Sequence, residues 1–136
     1  MAVKGIIVNK NGFLSLKRQS ENIHFPEMWE IPGGRLELGE DPIIGLKREI
    51  KEETNLDIDV VKPLNVRHFT RKDGQVITMI IFLCRSKLSD VKISKEHSDY
   101  RWVDISESDE NLKKYFADGF FLEELTILRK DLSEIS

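Results

Sequence analysis

Cysteine is almost absent from this chain: Cys84 is the single one among 136 residues. One thiol excludes a disulfide framework and a cysteine-rich zinc site. It lies in the apolar run Ile80 to Cys84, which predicts a buried, inert thiol rather than a nucleophile. No apolar run reaches transmembrane length, and the N-terminus lacks a signal-peptide pattern. A cytoplasmic protein with no membrane segment is therefore expected. Neither sign of charge dominates, since the net charge is −3 and the isoelectric point about 5.7. That argues against a nucleic-acid-binding surface and leaves phosphorylated small molecules open. Repeats, linkers and low-complexity tracts are lacking too. What remains is 40% apolar and 33% charged, a globular composition long enough for one domain over 1–136.

Hydrophobic patterning places the elements. Val3 to Val8 reads as a buried strand, Asn9 to Gly12 as a turn, and Phe13 to Arg18 as the returning strand. Asn11-Gly12 is the two-residue hairpin signal there. Gln19 to Met28 is a polar loop containing His24, Phe25 and Pro26, followed by a short strand, Trp29 to Ile31. Pro32, Gly33 and Gly34 predict a tight turn, where bare backbone can approach a metal or phosphate. Ile58 to Val61 and Val66 to Thr70 read as strand, broken near Pro63, and Asp73-Gly74 is a second hairpin signal. Val76 to Cys84 is apolar at nearly every position, as in a central strand covered on both faces. Ser86 to Ser98 is loop and Tyr100 to Val103 strand. Ser106 or Ser108 can cap a short helix ending near Phe116. Asp118 can cap a last helix carrying Phe121, Leu125, Leu128 and Leu132 on one stripe. Together these predict an α/β sandwich with a mixed sheet between helices.

One stretch concentrates charge. Gly33 to Leu56 reads GGRLELGEDPIIGLKREIKEETNL. Asp41 as N-cap, Pro42 at the first helical position and Asn55 as a left-handed C-cap predict a helix. Ile43, Leu46 and Ile50 are its expected buried stripe, with the acidic residues on another face. Glu49, Glu52 and Glu53 fall at i, i+3 and i+4, so they share a side and repel one another. Arg48 cannot neutralise three carboxylates, whereas a hard divalent cation, Mg²⁺ or Mn²⁺, can. Acidic runs on helices are commonly just solvated faces. The wider set Gly34, Glu40, Arg48, Glu49, Glu52 and Glu53 is harder to dismiss. At roughly 6% per letter, six fixed positions coincide by chance with a probability on the order of 10⁻⁷ per start site.

That set resembles the Nudix box, G-x5-E-x7-R-E-U-x-E-E-x-G-U with U aliphatic. One departure is Asn55, where the family has glycine. Asparagine is the next most tolerant residue of a left-handed backbone, so the substitution is mild. The resemblance implies the Nudix fold and a metal-dependent hydrolysis of a pyrophosphate bond. It implies Glu49, Glu52 and Glu53 as metal ligands, with the Gly33 carbonyl as a further one. Arg48 would orient Glu49 and Glu52, Glu40 would brace the loop, and Glu96, before the strand at Tyr100, would swing over the metals as ligand or base. His97 is expected to be exposed.

Substrate choice is less legible. Trp29, Phe25 and Phe69 are candidates to stack a base. Arg18 could meet a phosphate, and Gly34 could let backbone approach the ligand. The ADP-ribose and diadenosine-polyphosphate subgroups carry proline and tyrosine markers beyond the box, where this chain has Arg71, Lys72 and Asp73. The resemblance is to the MutT-like branch, so the expected reaction takes a nucleoside triphosphate, standard or oxidised, to the monophosphate and pyrophosphate. ADP-ribose or another nucleotide sugar is the alternative. A non-catalytic nucleotide-binding module and an acidic interaction domain are the readings of other classes. No nucleic-acid partner is expected, and a homodimer is left open.

Overall fold

The computed structural model describes residues 1–21, 26–116 and 121–135. In chain order the elements are β1 (Ala2–Asn9), β2 (Gly12–Arg18), β3 (Trp29–Glu30), β4 (Gly33–Arg35), α1 (Pro42–Thr54), β5 (Asp59–Thr70), β6 (Val76–Arg85), β7 (His97–Val103), α2 (Asp109–Tyr115) and α3 (Phe121–Ile135). The seven strands form one mixed sheet with the path β3-β2-β1-β6-β5, while β4 pairs with β1 and β7 with β2. β1 and β6 run parallel at the centre, from Ala2 opposite Met79 to Val8 opposite Arg85. The expected mixed sheet between helices is what forms.

Strand alternation splits the core in two. Ile81 and Leu83 of β6 face the layer holding Leu112, Phe121, Leu125 and Leu128, contributed by α2 and α3. Phe82 and Cys84 face the opposite layer with Leu46 and Ile50 of α1. Burial on both faces explains why β6 reads as an unbroken apolar run. Ser108 caps α2, its side chain accepting from Asn111 N–H at 3.2 Å. Asp118, proposed as the cap of the last helix, and Phe25 and His24 lie outside the described residues, as does the Leu132 side chain.

Several expectations need correction. In the first hairpin Asn9 pairs with Gly12, so Lys10 and Asn11, not Asn11 and Gly12, make the turn. Gly12 supplies the positive φ of 116° as the returning strand begins. The residues around Pro63 do not break β5. Pro63 sits among register shifts, between Val60 and Lys62 and between Pro63 and Asn65. Proline lacks the ladder N–H, and β5 at the end of the sheet path tolerates that loss through bulges. β7 begins at His97 rather than Tyr100, its polar Ser98 and Asp99 being exposed next to β2. Gly33 and Gly34 form no free turn but the start of β4, opposite Lys4 and Val3.

Candidate metal centre beside the first helix

α1 is built as its caps predict. Asp41 Oδ1 accepts from Ile43 N–H at 2.9 Å and Ile44 N–H at 3.1 Å, a cap worth about 1 kcal/mol. At the other end Asn55 sits at φ 62°, ψ 14°, its N–H bonded to the Lys51 carbonyl. Asparagine thus fills the left-handed cap where the box has glycine.

Leu46 and Ile50 of the expected stripe are buried, but Ile43 is not part of it. Ile43 is 44% exposed, and the buried residues are Gly45, Leu46, Ile50, Glu53 and Thr54. Loop residues Leu36 and Glu40 lie over Gly45, so the first turn is covered on that side and Ile43 is turned outward. Glu53 stands seven residues, about two turns, after Leu46 and therefore shares the inward stripe. The three glutamates do not form one outward face. Glu53 is 6% exposed, whereas the Glu52 side chain is 59% exposed.

Arg48 and the glycines of β4 anchor the acidic side chains. Arg48 grips Glu40 with two parallel bonds, Nε to Oε2 at 2.8 Å and Nη2 to Oε1 at 2.9 Å. Glu40 Oε1 also accepts from Glu37 N–H at 3.0 Å, which ties the loop to the helix. These bonds, Arg48's first, pull the Glu40 carboxyl down to about 2. Arg48 Nη1 then reaches Glu49 Oε1 at 3.1 Å and Glu52 Oε1 at 3.3 Å. The Glu49 carboxylate rests on Gly34, where a Cβ would stand 2.5 Å from Oε2. Gly33, at φ 150°, donates its N–H to Glu53 Oε1 at 2.8 Å. A Cβ there would stand 2.1 Å from the Val3 carbonyl oxygen, so the close approach of β4 to β1 requires glycine.

Beneath this lies a polar tier that the sequence did not reveal. Glu30 Oε1 accepts from Lys4 Nζ at 3.0 Å and Arg18 Nη1 at 2.8 Å, and Oε2 meets His97 Nε2 at 2.8 Å. Burial alone would raise the Glu30 carboxyl, but Lys4, the His97 hydrogen bond and Arg18 together hold it well below the ordinary range. Arg18 is thus engaged by Glu30 through Nη1. His97 is only 3% exposed, against the expectation of an exposed side chain. One ligand atom each from Glu53, Glu96 and His97 lies within 4.8 Å of the others. A lone charge in an apolar strand, Lys4, was the available clue. Nothing local marked Glu30 or His97.

Trp29 goes elsewhere. It lines a cavity of about 160 Å³ with Arg101, Asn111 and Tyr115, on the α2 side of the sheet, with the Arg101 guanidinium 5.9 Å from its ring centroid. Its neighbour Glu30 faces the α1 side instead, as strand alternation requires. Phe69 lines an open depression with Arg67 and Glu123 on β5.

The electrostatics fit a hard cation. Burial, reinforced by the nearby Glu30 and Glu96 carboxylates, pushes Glu53 up to about 8, despite Lys4 and the Gly33 N–H. Burial also raises Glu49, against the pull of Arg48. Such carboxylates resist ionising together unless positive charge arrives, and oxygen donors in this number suit a divalent ion.

Comparison with known proteins agrees. Residues 1–125 match the NUDIX domain. A MutT-like protein of Streptomyces ambofaciens is 30% identical over 117 residues, 86% of this chain and 71% of the relative. The nucleoside triphosphatase NudI of an Enterobacter species is 39% identical over 108 residues, 72% of this chain and 77% of that protein. Among solved structures, the MutT protein of Methanosarcina mazei superposes with a TM-score of 0.76 at 24% identity, covering 96% of this chain and 93% of that one. A NUDIX hydrolase of Nitrosomonas europaea gives 0.79 at 18% identity over 96% of this chain and 88% of that one, a likeness of fold. No helix among the described residues is long and apolar enough to cross a membrane. The chain belongs to the Nudix family and is a Nudix hydrolase, of a class that acts on nucleoside diphosphate derivatives with the help of a divalent metal.

Proposed function

We propose that the substrate is a nucleoside triphosphate, standard or oxidised, cleaved to the monophosphate and pyrophosphate, with Mg²⁺ or Mn²⁺ as the ion. The observation that supports this is geometric: one ligand atom each from Glu53, Glu96 and His97 lies within 4.8 Å of the others, with Glu49 held by Arg48 on the same helix as Glu53. A bound divalent ion screens the phosphate charge and lowers the pKa of its water. Glu49 and Glu53 are the ligands held in place, Glu49 by Arg48 and Gly34, Glu53 by the Gly33 N–H. Glu52, at the exposed edge of the same guanidinium, serves an ion from the solvent side. Arg48 and Glu40 act through the ligands as positioning residues. Glu96 is exposed and next to β7, so it can take a proton from water at the centre.

Two relatives support the triphosphate: the nucleoside triphosphatases NudI of an Enterobacter species and of Escherichia coli, 39% and 34% identical. The test is catalytic efficiency with Mg²⁺ across a triphosphate panel, ADP-ribose and dinucleoside polyphosphates, with products identified by mass. Monophosphate plus pyrophosphate from a triphosphate, at the highest efficiency, is expected. Preference for ADP-ribose, or orthophosphate as the product, refutes the substrate assignment. Nucleotide binding without turnover on any substrate refutes catalysis itself.

A further inference from the structure

Among the described residues His97 is the imidazole of the centre, and it is held as metal-binding imidazoles are held. Glu30 is ionised, because Lys4 and Arg18 both bind its Oε1. The 2.8 Å contact with Glu30 Oε2 therefore needs the proton on His97 Nε2. In the neutral ring that leaves Nδ1 with a bare lone pair. Nδ1 is fully buried and has no hydrogen-bond partner. Its nearest acidic oxygen is Glu53 Oε2 at 3.8 Å, too far for a hydrogen bond. A buried acceptor facing a carboxyl oxygen across 3.8 Å leaves room for a cation bound by both. Ligand atoms around a divalent ion, each about 2.1 Å from it, stand roughly 3–4 Å apart, and this pair falls in that range. The carboxylate–imidazole arrangement, with the far nitrogen donating to Glu30, is the usual way a ligating histidine is oriented.

We propose that His97 Nδ1 is a nitrogen ligand of the divalent ion held with Glu53 and Glu96, making this a mixed nitrogen–oxygen centre. The proposal rests on the metal-centre reading above and changes its metal preference. Imidazole adds affinity for first-row transition ions and little for Mg²⁺, which prefers oxygen and keeps its waters. A positioning role for His97, toward Glu53 alone, would alter all metals alike.

The experiment is calorimetric titration of chelator-stripped protein with Co²⁺ and with Mg²⁺, without substrate, comparing wild type and His97→Gln. Glutamine keeps an amide donor near the Nε2 position for Glu30 and deletes the Nδ1 ligand. The Co²⁺ to Mg²⁺ affinity ratio is expected to fall by about tenfold or more in the variant. A ratio changed by less than about threefold overturns the nitrogen ligand and leaves the metal centre standing. Failure of wild type to bind either ion overturns both. Should the variant not fold, electron spin-echo modulation of Mn²⁺-loaded wild type decides the matter. Nitrogen coupling from a directly bound imidazole is expected, and its absence overturns the proposal.

Discussion

Replacing Glu53 by glutamine in the metal-free protein isolates the electrostatic strain that the centre carries. The change is nearly isosteric. Its carbonyl can still accept the Gly33 N–H, which stands 2.8 Å from Oε1, and its amide can point toward His97 Nδ1. What it removes is a buried charge. Burial raises the carboxyl from its ordinary value of 4.5 to about 8. The native state therefore holds its proton where the unfolded chain has lost it. The sign follows: there is no penalty below about pH 4.5, the penalty grows as pH rises toward 8, and it is constant at its full value above that. At about 1.4 kcal/mol per pH unit the ceiling is about 5 kcal/mol, and side-chain relaxation with water entry reduces the expectation to about 1–3 kcal/mol.

The glutamine variant escapes this penalty at every pH. Thermal melts in chelator from pH 5 to 9 should show it nearly level with wild type at the acid end. It should then move ahead, by roughly 3–4 °C per kcal/mol for a domain of this size. Adding Mg²⁺ should reverse the order, since only wild type gains binding free energy from the ion. Turnover should drop by about 10²–10⁴-fold in the same variant. A variant that melts with or below wild type at pH 8 in chelator refutes the account. So does a difference that ignores pH.

Three further outcomes follow from particular contacts. Arg48→Lys loses the two-pronged grip on Glu40, at 2.8 and 2.9 Å, and should lower kcat about 10- to 100-fold with little change in melting temperature. Arg67→Ala leaves Glu124, 0% exposed on α3, without the guanidinium at 2.7 Å. It should destabilise by about 3–5 kcal/mol in urea denaturation, whereas Arg67→Met with Glu124→Leu should recover most of that. Burial pushes the Cys84 thiol up to about 12, so native protein at pH 8 should resist a thiol-specific disulfide reagent that labels the unfolded chain at once.

The helix α1 was legible because its information is local. Asp41, Pro42 and Asn55 mark its ends by backbone chemistry that acts within a few residues. The six letters of the box lie within one short stretch. The helix phase was legible too in Leu46 and Ile50, whereas Ile43 turns outward and Glu53 inward. Leu46, Ile50 and Glu53 at intervals of four and three are one stripe, so the inward glutamate could have been found by treating it as part of the core face. Trp29 shows the opposite case. Its residue type does not say which face of the sheet it takes, and alternation in β3 sends it to the α2 side, where it lines a cavity with Arg101.

Glu30, Lys4, Arg18 and His97 could not be joined from sequence because strand register alone brings them together. Lys4 lies opposite Gly33 across β1 and β4, Leu16 opposite Glu30 across β2 and β3, and Arg18 opposite His97 across β2 and β7. A slip of one residue in any of these pairings would turn the affected side chains to the other face. Arg18 pairs with His97 in register only after a shift between Lys17 and Arg18, so an irregularity sets a pairing that composition could not foresee. The glutamates of α1 supply charge from one helix, while the strands supply the cations and the ring that hold it. The first set is written in a motif, and the second exists only once the sheet has closed.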